Sequence, residues 1–82
     1  MANINANFQN ASGASALFAI VDLARDQNAP PQLFAGYLDP DQGTGDLTLY
    51  SADGLYGRVG VVRSGGAQTV VDVANGDTIR MS

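Results

Sequence analysis

The sequence predicts an all-β fold, a small antiparallel sandwich or barrel of six to seven strands with a C-terminal four-stranded meander. Three observations carry this. Lys and Glu, which usually populate exposed helix faces, are both absent. Val, Ile, Thr and the aromatic residues gather in short runs that suit pleated, half-buried strands. Clusters of Gly, Pro, Asn, Asp and Ser separate those runs and supply turns.

The first strand is expected at Ile4 to Gln9, with Ser12-Gly13 as the break after it. Ala16 to Ala24 follows. There Leu17, Ile20, Val21 and Ala24 also fit a 3.6-residue period, so helix competes with strand and strand is preferred. Leu17, Ala19, Val21 and Leu23 give this segment one usable apolar face. After the break at Asn28 to Pro31, the segment Gln32 to Leu38 offers Leu33, Ala35 and Tyr37 on one face or Phe34 and Leu38 on the other.

The last four strands are expected at Asp46 to Ser51, Leu55 to Arg63, Ala67 to Ala74 and Thr78 to Met81. Their register follows from loop length, because a slip of one residue turns every side chain over. Two-residue loops would set Arg80 opposite Val71 and Ile79 opposite Asp72. Three-residue loops at Ala52-Asp53-Gly54, Ser64-Gly65-Gly66 and Asn75-Gly76-Asp77 instead align Leu47, Val59 and Val71 in one row. They also set Val61 across from Thr69, Val73 across from Ile79 and Val71 across from Met81, giving one buried face. The opposite face then pairs Tyr50 with Tyr56, Thr48 with Arg58, Arg58 with Asp72 and Asp72 with Arg80. Val62 and Val70 also fall on that outer face, which implies cover from another strand, a loop or a second copy.

Eighty-two residues suit one domain spanning 1–82, and no repeat or linker divides them. With no Cys there is no disulfide staple, so a chain this small gains from association with a copy of itself, and a homo-oligomer is expected. A hydrophobic share of 45% against 15% charged is enough for a packed core. The net charge of −4 and the absence of any basic run repel a phosphate backbone, so nucleic acid is excluded as a partner. No apolar stretch reaches the ~20 residues a spanning helix needs, and no basic segment precedes Ala14 to Val21. The sequence is therefore read as acidic and soluble, with no secretory signal and no membrane span.

Composition also removes most catalysis. There is no His or Lys to activate a serine, and Gly43-Thr44-Gly45 belongs to neither nucleotide-binding loop. Asp77-Thr78 is followed by Ile79, which breaks the aspartic protease pattern, so the chain is not expected to be an enzyme. Gly54, Gly57 and Gly60 are read as marks of twist or close packing.

Two candidate sites remain. Asp39, Asp41 and Asp46 lie within eight residues among glycines that free carbonyls to point inward, the kind of oxygen cage calcium takes. A solvated turn whose Asp side chains bond nearby N–H groups is the competing reading. The outer patch of Thr48, Tyr50, Tyr56, Arg58, Asp72 and Arg80 sets aromatic faces beside planar donors and a carboxylate. Sugars suit such a surface, because their C–H faces lie on rings while their hydroxyls bond to Asp and Arg. The expectation is a non-enzymatic, lectin-like module that binds carbohydrate and self-associates. Its alternative is a structural or assembly subunit of a virion, filament or surface layer.

Overall fold

A computed structural model of the chain describes residues 2–26 and 28–82. Seven strands follow in order: β1 (Ala2–Asn10), β2 (Ala16–Asp22), β3 (Gln32–Leu38), β4 (Gly43–Ser51), β5 (Tyr56–Arg63), β6 (Thr69–Ala74) and β7 (Thr78–Met81). No helix occurs among the described residues, so none is long and apolar enough to cross a membrane. Ala16 to Asp22 is strand, which resolves the competition with helix.

The strands form two open sheets, β4-β1-β7 and β3-β2-β5-β6, and neither closes on itself. β1 alternates in the clean period of two: Ile4, Ala6 and Phe8 are buried while Asn3, Asn5, Asn7 and Gln9 lie on the other side. Its inward residues meet Phe18 and Ile20 of β2, Leu49 of β4, Val59 and Val61 of β5, Val73 of β6 and Met81 of β7 in one cluster. Val71 and Ile79 pack against that cluster, so the apolar parity read from the sequence holds in β5, β6 and β7.

The four-stranded meander is corrected. Its central hairpin is present, with Val59 opposite Val71, Val61 opposite Thr69 and Arg58 opposite Asp72. However, β4 pairs antiparallel with β1 and β7 pairs parallel with β1, so neither joins the hairpin. The physical cause is visible at the turn after β6. Gly76 N donates to Asn5 O at 2.7 Å, Asn7 N donates to Asp77 O at 2.9 Å and Asn5 N donates to Asn75 Oδ1 at 3.0 Å. β1 thereby captures the turn, and β7 leaves for the other sheet.

β2 is also corrected. The buried residues are Ala16, Phe18, Ile20 and Asp22, not Leu17, Ala19, Val21 and Leu23. Both faces of this strand are apolar, so parity cannot choose; turning Phe18 and Ile20 inward removes more apolar area from water. The register with β3 then brings Phe34 and Leu38 to the core side, opposite Ile20 and Ala16.

Gly57 lets the two sheets approach. A Cβ there would stand 3.1 Å from the Tyr50 carbonyl oxygen, 3.2 Å from Leu49 and 3.3 Å from Ile4. Gly57→Ala should therefore lower the unfolding free energy by about 1–2 kcal/mol, read as a lower urea midpoint at constant slope. An unchanged midpoint would mean that the sheets do not need this close contact.

Candidate functional site

All six residues of the expected polar patch lie on the outward side of their strands, but the two sheets divide them. Tyr56 and Arg58 of β5 and Asp72 of β6 share the outer face of one sheet. Thr48 and Tyr50 of β4 and Arg80 of β7 belong to the outer face of the other. Tyr50 lies opposite Asn3 rather than Tyr56, and Arg80 opposite Gln9 rather than Asp72. Thr48 faces Asn5 and donates from Oγ1 to its Oδ1 at 3.0 Å. The charge row stops at Arg58 and Asp72, because their strands alone keep the hairpin register.

Those two residues are joined through Arg58 Nε and Asp72 Oδ1 at 2.9 Å, with 54% and 66% of their side chains exposed. The hydrogen bond from Arg58 to Asp72, together with the opposite charge, raises the guanidinium above its ordinary pKa. A pair this open to water adds little to stability. Its geometry is more informative. Only Nε is engaged, and among the described residues the terminal amino groups of Arg58 and Oδ2 of Asp72 make no protein hydrogen bond.

The pair lines a cleft of about 570 Å³ whose other residues are Leu23, Ala24, Ala52, Asp53, Tyr56 and Gly57. One wall is the turn after β2, held because Leu23 N and Ala24 N both donate to Arg58 O, at 2.9 and 3.2 Å. The other wall is the corner between β4 and β5. Ser51 Oγ donates to Tyr56 O at 2.6 Å and accepts from Gly54 N at 2.9 Å. Asp53 Oδ1 accepts from Leu55 N at 2.8 Å and Tyr56 N at 3.0 Å. Hydrogen bonds from Tyr56 N and then Leu55 N, followed by the Ser51 hydroxyl, lower the Asp53 pKa. Tyr56 is 60% exposed beside this corner.

Asp53, Leu23, Ala24 and Ala52 are cleft residues that the sequence reading missed. Asp53-Gly54 is legible as a turn. That the turn faces the end of β2 depends on which strands pair, and no local signal carries that.

The three loop carboxylates do not gather. Among the described residues no three Asp side chains stand close enough to hold a metal ion. Asp39 Oδ1 instead accepts from Ser15 Oγ at 2.7 Å, and Gln42 N donates to Asp39 O at 2.9 Å, closing a tight turn. Pro40 sets the first central residue of that turn and Asp41, at φ 65°, takes the left-handed second position of a type II turn. Since β4 begins at Gly43, Asp46 is carried away along the strand to lie opposite Asn7.

Comparison with known proteins finds no matching family, no matching curated protein and no matching solved structure.

The lowered pKa of Asp53 sets a pH dependence. Relative to an ordinary value of 3.8, it contributes stability that is complete above 3.8 and is lost as pH falls from there through the folded-state value. Asp53→Asn keeps the oxygen acceptor and removes the charge. Its melting temperature should lie below that of the parent at neutral pH, and the gap should close on the acid side of 3.8; a gap constant into strong acid would refute the assignment.

Proposed function

We propose that the chain is a non-enzymatic binding module that takes a neutral, hydroxyl-rich ligand, a carbohydrate, in the cleft of Tyr56, Arg58 and Asp72. One observation carries this reading: the Nε-only pairing leaves donors on Arg58 and an acceptor on Asp72 side by side, next to the exposed ring of Tyr56. Adjacent sugar hydroxyls accept from guanidinium N–H groups and donate to a carboxylate, while the C–H face rests on the ring. Two carboxylates, Asp53 and Asp72, face one guanidinium here, so the local charge disfavours phosphate. The lowered Asp53 is a poor proton donor at neutral pH, which fits binding better than acid catalysis. Calcium has no part in this reading, because the loop carboxylates stand apart.

A second reading, a subunit that assembles with copies of itself, is favoured by the outer face of the β3-β2-β5-β6 sheet. Leu17 and Tyr37 lie opposite each other there, as do Ala19 and Val62, with Val21 and Val70 flanking Gly60. Tyr37, Val70 and Leu17 are 73%, 54% and 38% exposed. A face four strands wide at ~4.8 Å spacing and about five residues long covers on the order of 300 to 400 Å² in projection. With its rim, two copies face to face would hide roughly 1,000 Å², near the lower bound for a specific interface.

Titration of a glycan panel should find a neutral saccharide that binds the parent chain, with Tyr56→Ala and Arg58→Ala each weakening it about tenfold or more at unchanged melting temperature. Binding that survives both substitutions would remove this cleft as the site. For the assembly reading, sedimentation across a dilution series should show a dimer or larger species that Leu17→Asp converts to monomer. A parent chain that is monomeric at every concentration would exclude it.

A further inference from the structure

We propose a second site, distinct from the Tyr56 cleft: the gap between β6 and β7 binds a small apolar molecule carrying one carboxylate. β6 and β7 are edge strands of different sheets, joined by the Asn75 to Asp77 turn. Because β1 captures that turn, β7 is drawn away from β6 and the two edges part. The gap between them is a cavity of about 250 Å³.

Its floor is apolar. Phe18, Val61 and Met81 are 1%, 8% and 5% exposed, and Val71 continues the surface from β6. Arg63, at the end of β5, and Arg80, in the middle of β7, line the same cavity from the two sheets. No acidic side chain lines it. These are two of the four basic residues in a chain of net charge −4, so their convergence is a local reversal of sign. Among the described residues the ion pair found is Arg58 with Asp72, and neither Arg63 nor Arg80 makes a side-chain hydrogen bond.

An apolar floor bordered by two arginines, Arg63 at the end of β5 and Arg80 at the rim along the edge of β7, matches a ligand with an apolar body and an anionic head. The planar fork of arginine pairs with carboxylate in bidentate fashion, and the low-dielectric floor strengthens that contact. The volume lies just below the ~300 to 1,000 Å³ typical of drug-sized ligands, so the apolar body is short. A medium-chain fatty acid such as octanoate has these properties.

Amide-resolved NMR titration of the whole chain with octanoate, 1-octanol and octylamine tests the site. Octanoate should shift the amides of Val61, Arg63, Val71 and Arg80, with 1-octanol about tenfold weaker and octylamine weaker still. Arg63→Gln with Arg80→Gln should bring octanoate down to the affinity of 1-octanol, and added salt should do so in part. Each single variant should lose part of the effect, which keeps the test readable if the double variant folds poorly. Equal binding of octanoate and 1-octanol, shifts centred on Arg58 instead, or no binding at millimolar octanoate would each overturn the proposal. Equal binding of octanoate and 1-octanol, or no binding, leaves the carbohydrate reading untouched, whereas shifts centred on Arg58 would count against the neutral-ligand preference of the Tyr56 cleft as well.

Discussion

The architecture depends on three buried polar side chains, Asn10, Asp22 and Ser51, each placed where the chain leaves one sheet or meets the other. Asn10 ends β1 and donates from Nδ2 to Leu38 O in β3 and to Ala14 O in the connecting loop, both at 2.8 Å; its Oδ1 accepts from Ser12 N at 2.9 Å. Asp22 ends β2 and accepts from Tyr50 N of the other sheet at 2.8 Å. Ser51 ends β4 and bonds to Tyr56 O at the start of β5. A buried polar atom without a partner costs about 1–3 kcal/mol, so each clasp penalises any arrangement that slides one sheet along the other. No buried side-chain polar atom among the described residues lacks a partner.

The same clasps decide where the surface is concave. Asp22 and the Arg58 carbonyl hold the turn after β2 from either side, while Ser51 and Asp53 shape the corner before β5. The Tyr56 cleft is the space between those two rigid turns. On the far side of the core, β1 draws the Asn75 turn toward itself, and the gap under Arg63 and Arg80 follows.

Electrostatics separate the two concavities despite the small number of charges. The Tyr56 cleft collects Asp53, Arg58 and Asp72, with the arginine partly neutralised by its neighbour. The β6/β7 gap collects Arg63 and Arg80 with no acidic side chain. One surface therefore carries charges of both signs, while the side-chain charges bordering the other are both positive. The uncharged outer face between Leu17 and Val70 adds a third kind of surface, suited to another apolar face.

By itself the sequence determined what depends on near neighbours. Strand positions were legible, with Gln32–Leu38 and Thr78–Met81 matching residue for residue. So was the β5–β6 register, because these two strands do pair and the valines permit one alignment, although the connection runs from Ser64 to Gln68 rather than over the three residues Ser64-Gly65-Gly66. The outward side of Tyr56, Arg58 and Asp72 followed from that. Tertiary structure alone decided which strands are partners and which face of β2 is inward. Asn75-Gly76-Asp77 carries the local chemistry of a hairpin, yet its donors and acceptors are used by β1, some 70 positions earlier in the chain. The period of two assigns a side chain to one face of its strand and contains nothing about which strand lies beside it. That choice rests on long-range burial and hydrogen bonding, and it separated Tyr50 from Tyr56 and Asp46 from Asp39.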